Sequence, residues 1–263
     1  MDKTSSTDLP QRFTGALLDG RVALITGGAA EKGIGRAIAR LYAAHGARVV
    51  VVDLDGDQAV KAAAALGPGH LGFRCDITQE KECADIAKNI LGEFGRIDIL
   101  VNNAGIAARR EFFDISVDEF ELMMRVNAKG TFLMTKAVLP SMAERGQGNI
   151  IFISSTAAQR GGGVFGSSHY VASKAAMSGF ALAIAREFAP RGIRSNIVAP
   201  NLIHTDSVRE MTPEQRAAIE KGVPLQRSGT MWDVAGAALF LASELSAYVS
   251  GATIDVNGGF HVR

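Results

Sequence analysis

The sequence contains few of the residues that crosslink a chain or hold a structural metal. It has two cysteines, Cys75 and Cys83, and five histidines that lack the spacing of metal ligands. Two cysteines provide neither a disulfide framework nor the paired spacing of a zinc site. These absences favour a reduced, cytoplasmic protein, and they predict that it holds no metal.

The sequence also lacks a large charge imbalance and a long apolar run. The net charge is +1, which gives no reason to expect a nucleic acid partner. No apolar run reaches the ~18 residues that a membrane helix needs, so we expect no membrane association. Residues 1–17 begin with a polar stretch that lacks the apolar core of a secretory signal. We predict a flexible arm there.

The rest of the chain, residues 18–263, has the composition of one globular domain. The full sequence of 263 residues is 47% apolar and 21% charged, and such a chain can bury a sizeable core. No linker, repeat or low-complexity segment divides it. We therefore expect a single folded unit.

Short apolar runs alternate with helix-length segments along this domain. Near-continuous apolar runs suit strands that are covered on both faces, and strand–helix alternation is typical of βαβ units. The pattern predicts an α/β fold, namely a single-domain, Rossmann-type, doubly wound parallel sheet of about seven strands with helices on both faces. The predicted strands include residues 22–25, 48–52, 97–101, 149–153 and 195–198, and the predicted helices include residues 35–44, 79–94, 117–142 and 170–188.

One segment, residues 204–222, interrupts this alternation. It contains Thr212 followed by Pro213, which are a capping residue and a favoured first residue of a helix. We interpret the segment as a short helical excursion at the edge of the sheet. Its position predicts a lid over the substrate site.

A glycine-rich turn with Gly27, Gly33 and Gly35 follows the first predicted strand and opens a helix. Glycines let the backbone approach a pyrophosphate, and the helix start supplies free N–H groups. Asp53 ends the second predicted strand, where an acid hydrogen-bonds the adenosine ribose. Asp53 would repel a 2′-phosphate, so we predict NAD as the cofactor, although Lys32 favours NADP. The alternative role of Asp53 is to cap the next helix, a role that Asp55 also fits.

Tyr170 and Lys174 stand four residues apart in a predicted helix and therefore lie on one face of it. A nearby cation favours the phenolate, so Lys174 is expected to lower the pKa of Tyr170. A tyrosine tuned in this way exchanges a proton with an alcohol or carbonyl oxygen. The pair predicts a catalytic acid/base, and its alternative is an exposed tyrosine beside a solvated lysine.

These motifs and several others resemble the classical type of the short-chain dehydrogenase/reductase family, from about residue 18 to residue 259. The resemblance implies a catalytic tetrad of Asn127, Ser155, Tyr170 and Lys174. It implies cofactor binding by Gly27, Lys32, Gly33, Ile34 and Gly35 in the glycine turn, Asp53, Asp76 and Ile77 beside the adenosine, Asn103, Ala104 and Gly105 in the Asn-Asn-Ala-Gly turn, Tyr170 and Lys174, and Pro200, Ile203 and Thr205 near the nicotinamide.

The resemblance also implies a role for each member of the tetrad. Tyr170 is expected to be the base in oxidation and the acid in reduction, and Ser155 to hydrogen-bond the substrate oxygen. Lys174 is expected to hold the nicotinamide ribose, and Asn127 to serve the proton relay. The predicted function is an NAD-dependent oxidoreductase that interconverts a small secondary alcohol and its ketone. The alternatives are an NADP-linked 3-oxoacyl thioester reductase and a non-catalytic dinucleotide-binding protein.

Three features depart from the common form of the family. The glycine turn has five residues between Gly27 and Gly33 instead of three, which makes the position of Lys32 uncertain. Ser155 precedes Tyr170 by fifteen residues instead of thirteen. Asn201 replaces the usual glycine after Pro200, and we expect it to keep the turn because asparagine tolerates a positive φ.

Four more residues have open roles: Arg109, Arg110, His169 and His204 all fall near the predicted substrate site. Each is either a substrate contact or an ordinary loop or core residue. The long predicted helices 117–142 and 170–188 carry apolar residues on more than one side, namely Phe132, Leu133, Val138, Leu139, Met177, Phe180 and Leu182. A second apolar face implies a partner, and the resemblance implies a homotetramer.

Overall fold

The computed structural model describes residues 16–162, 167–205 and 212–262. Its strands are β1 (Val22–Thr26), β2 (Arg48–Asp53), β3 (Leu71–Arg74), β4 (Ile99–Asn102), β5 (Gly148–Ile153), β6 (Ile193–Pro200), β7 (Ile203–His204), β8 (Gly229–Thr230) and β9 (Thr253–Val256). Its α-helices are α1 (Ile34–Ala44), α2 (Gly56–Ala64), α3 (Glu80–Phe94), α4 (Val117–Met123), α5 (Thr131–Arg145), α6 (Ala157–Arg160), α7 (Ser168–Glu187), α8 (Pro213–Glu220) and α9 (Met231–Ala242).

Within these described ranges, seven parallel strands form the main sheet, in the order β3-β2-β1-β4-β5-β6-β9. The chain starts in the middle of the sheet, at β1, and extends it first to one side and then to the other. This order reverses between β1 and β4, and ligands of such sheets bind at the carboxyl ends of the strands beside the reversal. The predicted doubly wound α/β fold is confirmed.

Helices cover both faces of the sheet because the central strands are apolar on both sides. All five residues of β1 are buried. One core cluster joins the sheet to α1, α2 and α9, and includes Ile38 and Val234. The other joins it to α3, α5 and α7, and includes Ile90 and Met177. Burial on both faces is what the near-continuous apolar runs predict.

The strands at the two edges, β3 and β9, are absent from the strands that we singled out in the sequence. Three of the four residues of β3 and all four of β9 are only half-buried. Short edge strands that mix polar and apolar residues lack the continuous apolar run that identifies a central strand. The sequence indicates β3 and β9 only through the predicted total of about seven strands.

The predicted helix over residues 117–142 consists of three consecutive segments and ends later, at Arg145. A π-helical segment, Met124–Gly130, separates α4 from α5. Such segments are rare and often occur at functional sites. This one contains Asn127, which is fully buried.

The predicted excursion begins with a second, two-stranded sheet, in which Ile203–His204 pairs with Gly229–Thr230. Helix α8 begins at Pro213, as the sequence predicts, and the backbone carbonyl of Thr212 accepts a hydrogen bond from Arg216 N. Residues 206–211 of the predicted lid, and residues 1–15 of the predicted arm, lie outside the described residues. Both therefore stay predictions.

Candidate active site

The glycine turn between β1 and α1 packs directly against the turn that follows β4. Gly27 has a φ of +66°, and a Cβ at this position would lie 2.7 Å from Ala104 Cα. A Cβ on Gly35 would lie 2.5 Å from Asn103 Nδ2. Both positions require glycine, because any side chain would push the two turns apart. The cradle of backbone that results is open to a phosphate group.

The start of α1 sits at the end of this turn. Gly33 is the N-cap residue, and its N–H donates to Ala30 O at 3.0 Å. Ile34 begins the helix, so its dipole and free N–H groups face the turn. Lys32 is half-buried. Its neighbour Glu31 braces the enlarged turn against the helix through Arg36, 3.2 Å away.

Asp53 lies at the end of β2, beside the glycine turn. Its Oδ2 accepts a hydrogen bond from Ala29 N at 3.0 Å. The alternative role for Asp53, that of a helix cap, belongs to Asp55, which accepts from Gln58 N at 3.0 Å as the N-cap residue of α2. Asp53 is therefore left at the edge of the cradle, where an adenosine ribose would lie.

The Asn-Asn-Ala-Gly turn after β4 is held by Thr26, whose role the sequence analysis missed. Thr26 Oγ1 accepts hydrogen bonds from Asn103 N and Ala104 N, each at 3.0 Å. The Asn103 side chain returns two bonds, from Nδ2 to Thr26 O at 2.9 Å and to Gly27 O at 2.8 Å. This network fixes the two turns that border the cofactor site.

Asp76 and Ile77 follow β3 on the side of the sheet where the adenosine is predicted to bind. Burial works to raise the pKa of Asp76, but hydrogen bonds from Thr78 and Gln79 outweigh it and lower that pKa. The Thr78 backbone N–H donates to Asp76 Oδ1 at 2.9 Å. Ile77 is buried, and a Cβ on Gly130 would lie 2.7 Å from its Cδ1. The π-helix therefore supports this turn from below.

Tyr170 and Lys174 lie on α7, as predicted, and Ser155 follows β5. The Ser155 side chain lies close enough to the Tyr170 phenol to lower the pKa of that phenol. Lys174 Nζ donates to Ile153 O at 2.8 Å. Burial lowers the pKa of Lys174 to about 8.

The expectation that Lys174 lowers the pKa of Tyr170 is wrong for this structure. Burial raises the pKa of Tyr170, and only the hydrogen bond to Ser155 opposes the rise. The physical reason is that the phenol is half-buried, while the ammonium group is itself buried and donates to the carbonyl of Ile153. Desolvation therefore outweighs attraction between the two side chains.

Both the oxygen and the nitrogen of the Asn127 carboxamide group make hydrogen bonds. Its Oδ1 accepts from Ile106 N at 2.8 Å, and its Nδ2 donates to Ile106 O at 2.9 Å and to Ser173 Oγ at 2.9 Å. A Cβ on Gly105 would lie 3.0 Å from Asn127 Oδ1 and 3.3 Å from Lys174 Nζ. The structure thus brings Asn127 and Lys174 together at Gly105, where a larger residue would force both side chains to shift.

Pro200 ends β6 on the predicted nicotinamide side, and Ile203 and Thr205 follow it. The carbonyl of Pro200 accepts from Thr156 N at 2.8 Å, next to Ser155. Ile203 is buried and Thr205 is half-buried. Among the described residues, Gln226 alone combines a side chain with a positive φ. Asn201 therefore keeps this turn without the positive φ that we expected of it.

The four residues with open roles divide into different environments. The Arg110 side chain pairs with Glu119 at 3.1 Å, and the backbone N–H of Arg110 donates to Ser167 Oγ at 2.6 Å. Arg110 therefore connects a loop to the start of α7. Arg109 is exposed. His169 is 2% exposed. His204 is half-buried in β7.

A cavity of about 250 Å³ is lined by residues on either side of the predicted lid, among them Asn201, Leu202, Val223 and Leu225. The far end of α8 is fixed, because Ser228 N donates to Glu220 at 2.9 Å. In the described parts of the chain, no group of His, Cys, Asp or Glu suits a metal ion, and no helix has the length and hydropathy to cross a membrane.

Comparison with known proteins gives the class to which this fold and site belong. A family model described as enoyl-(acyl carrier protein) reductase matches residues 27–261. A short-chain type dehydrogenase/reductase, y4mP of Sinorhizobium fredii, is 47% identical over 252 residues, which are 94% of this chain and 100% of that protein. The protein is an oxidoreductase of the nicotinamide-dinucleotide class. It belongs to the short-chain dehydrogenase/reductase family, and the predicted family is confirmed.

Two further relatives carry functional names. The 3-oxoacyl-(acyl-carrier-protein) reductase FabG of Escherichia coli is 38% identical over 244 residues, which are 93% of this chain and 98% of that protein. The D-threitol dehydrogenase of Mycolicibacterium smegmatis is 38% identical over 252 residues, which are 94% and 95% of the two chains. A crystal structure of a short-chain type dehydrogenase/reductase from Mycobacterium marinum superposes with a TM-score of 0.87 at 36% identity, covering 95% and 98% of the two chains.

Proposed function

We propose that this protein is an NAD-dependent oxidoreductase that interconverts a small secondary alcohol and its ketone. The observation that carries the proposal is the convergence of four side chains. Ser155 lies close enough to the Tyr170 phenol to lower its pKa, while Lys174 Nζ and Asn127 Oδ1 would both meet a Cβ placed on Gly105. A phenol, a hydroxyl and an ammonium group in one pocket provide what proton transfer to or from a substrate oxygen needs.

The residues of the glycine turn fit a dinucleotide. The close approach of Gly27 to Ala104 and of Gly35 to Asn103 packs the two turns together, and the start of α1 favours a phosphate there. In this proposal Asp53 holds the adenosine ribose and Pro200, Ile203 and Thr205 the nicotinamide, whose chemistry is to accept or donate the hydride.

The chain's own groups handle the proton. Ser155 donates a hydrogen bond to the substrate oxygen and so stabilises the charge that develops on it. Tyr170 gives its proton to that oxygen in reduction, and its raised pKa keeps the proton in place beforehand. In oxidation Tyr170 must lose a proton, which Ser155 favours because it lowers the pKa of the phenol. Asn127 connects this pair to the backbone at Ile106 and serves the relay to solvent.

The carboxylate of Asp53 supports NAD as the cofactor. It is fixed by Ala29 N, 3.0 Å away, and would repel a 2′-phosphate at this position. The second candidate function is an NADP-linked 3-oxoacyl thioester reductase, which the likeness to the FabG protein of Escherichia coli favours. A non-catalytic dinucleotide-binding protein is a third, but binding alone does not need Ser155, Tyr170 and Lys174 together.

The deciding experiment measures cofactor binding and turnover separately. Binding of NAD and NADP is followed by fluorescence, and turnover is assayed with polyols, cyclic alcohols, hydroxy acids and 3-oxoacyl thioesters. Tyr170→Phe should remove nearly all turnover and leave NAD binding intact. Tyr248→Phe is the control, because Tyr248 is fully exposed. If Tyr170→Phe keeps more than about a tenth of the activity, the phenol is not the acid/base.

We also propose a cytoplasmic homotetramer. Cys75 and Cys83 are buried free thiols, which suits a reducing compartment. Phe132 on α5 and Leu182 on α7 are 46% and 47% exposed, and a partner subunit would cover them. The other predicted members of this face lie elsewhere: Leu133, Val138 and Met177 belong to the core of the subunit, and Leu139 and Phe180 pack against it.

A further inference from the structure

An arginine lies beside the carboxylate that is proposed to hold the ribose. Strands β2 and β3 are parallel, and Arg74 is the register partner of Asp53. The backbone agrees, because Cys75 N donates to Asp53 O at 2.8 Å. Directly paired residues of neighbouring parallel strands lie about 4.8 Å apart and point to the same face. A 2′-phosphate at Asp53 would therefore meet Arg74 next.

Arginine at this place should favour NADP. Its guanidinium group recognises phosphate with two parallel hydrogen bonds and carries its charge at every physiological pH. Asp53 alone opposes this attraction if Arg74 is available. The sequence therefore contains a conflict at the adenosine end, and only the three-dimensional arrangement around Arg74 resolves it.

Glu82, in the first turn of α3, occupies Arg74. Arg74 Nη1 donates to Glu82 Oε2 at 2.9 Å. The same oxygen accepts from Asp76 N at 2.8 Å, so the carboxylate is anchored to the adenosine-side turn. Glu82 is 34% exposed and Arg74 57%. The anchored carboxylate offsets the charge of Arg74 and, together with Asp53 and Asp76, makes this end of the site negative.

We propose that Glu82 is a second determinant of cofactor choice, which excludes the 2′-phosphate of NADP by neutralising Arg74 next to Asp53. The proposal rests on the proposed preference for NAD and extends it from one acid to two. Removal of Asp53 alone then leaves Arg74 still paired, so it shifts the preference only part of the way. Removal of the Glu82 charge releases an arginine that is the register partner of Asp53 in the sheet.

The test uses Glu82→Gln, which keeps an oxygen that accepts from Asp76 N but removes the charge. The matched control is Glu80→Gln, which removes a carboxylate from the same turn of α3, where Glu80 pairs with Lys136 at 2.7 Å. Dissociation constants of NAD and NADP are measured by fluorescence at one fixed salt concentration, and thermal unfolding checks that each variant is folded. No substrate is needed.

Glu82→Gln should tighten NADP binding about fivefold and leave NAD binding within about twofold. The double variant Arg74→Gln/Glu82→Gln should not bind NADP more tightly than the wild type, because no arginine is then available to the 2′-phosphate. Arg74→Gln alone should weaken NADP binding, since Glu82 is then an unpaired negative charge, and it serves as the test if Glu82→Gln fails to fold. Glu80→Gln should change neither constant.

Two results would overturn the proposal. One is an equal change of the NADP dissociation constant in Glu82→Gln and Glu80→Gln, which would mean that the overall charge of α3 causes the effect. The other is a gain that persists in the double variant, which would exclude Arg74. A wild-type protein that prefers NADP would instead refute the proposed NAD function. If the wild type prefers NAD and Glu82→Gln leaves NADP binding unchanged, only the role of Glu82 is refuted.

Discussion

Asn127 Nδ2 donates a hydrogen bond to Ser173 Oγ at 2.9 Å, and both residues are fully buried. Ser173 Oγ in turn donates to Tyr170 O at 2.8 Å. Since a hydroxyl has one proton, Ser173 must accept from Asn127 while it donates to Tyr170. This chain of two bonds joins the π-helical segment to the backbone of the proposed acid/base. Ser173 therefore bonds to two members of the proposed tetrad, and we expect it to position them.

The first prediction concerns Ser173→Ala. The change leaves a buried N–H of Asn127 and the carbonyl of Tyr170 each without this partner, which should cost about 1–3 kcal/mol of unfolding free energy. It should also lower kcat about tenfold with little change in KM, because a shifted Asn127 affects proton transfer and not binding. Urea unfolding and steady-state kinetics measure the two effects.

The control for this prediction is Ser178→Ala. Ser178 lies on the same helix and donates to Lys174 O at 3.2 Å, but it does not contact Asn127. Its removal should reduce stability without a comparable loss of kcat. If both variants lose kcat in proportion to their loss of stability, Ser173 acts only on stability.

The structure also explains which parts of the site could be predicted from the sequence. The glycine turn, the Tyr170–Lys174 pair and the alternation of strands and helices follow from local patterns, since these spacings are visible in a short stretch of sequence. The roles of Thr26 and Ser173 are not visible in this way. Thr26 contacts Asn103, 77 residues away, and the contact depends on the register of β1 with β4.

The wrong expectation for Tyr170 has the same origin. The spacing of Tyr170 and Lys174 predicts that both lie on one face of a helix, but it contains no information about how deeply that face is enclosed. Burial of Tyr170 raises its pKa, and burial follows from the packing of residues that are distant in sequence. A charge effect on a pKa that is inferred from spacing alone must therefore be compared with the effect of desolvation on both groups.

The second prediction concerns the pH dependence of stability through His70. His70 Nδ1 accepts a hydrogen bond from Val49 N at 3.0 Å. Burial, followed by the charge of Arg48, lowers the pKa of His70. The folded protein thus resists protonation of this group more than the unfolded chain does, so the unfolding free energy should decrease as the pH falls below about 6.5.

Urea unfolding between about pH 5.5 and pH 7.5 measures this slope. His70→Gln should flatten it, because the glutamine oxygen still accepts from Val49 N but does not titrate. His261→Gln, near the end of the chain, should leave the slope unchanged. A slope that is equally steep in His70→Gln would assign the acid sensitivity to other groups.

The third prediction concerns Asp53. The wild type should prefer NAD over NADP by at least about tenfold in kcat/KM, or ~1.4 kcal/mol. Asp53→Asn should narrow this gap, because the amide oxygen still accepts from Ala29 N while the negative charge is lost. Initial rates with both cofactors measure it.

Asp55→Asn is the control for Asp53, since it removes a neighbouring charge and keeps the N-cap of α2, where asparagine serves as well as aspartate. It should leave the preference unchanged. Equal use of NAD and NADP by the wild type would mean that Lys32, and not Asp53, determines the cofactor.

The last prediction is the homotetramer. Phe132 and Leu182 are half exposed, and the Phe132 ring lies 6.0 Å from that of Phe180, which joins α5 to α7 into one apolar surface. Apolar surface of this kind is normally covered by a partner, and a closed assembly uses the same surface on each subunit. Light scattering should give about four times the chain mass of 27.7 kDa. Phe132→Asp should lower that mass, because each new carboxylate would be buried unpaired at the interface. Val60→Asp, at a 54% exposed position on α2, should leave it unchanged, and a wild-type monomer would refute the assembly.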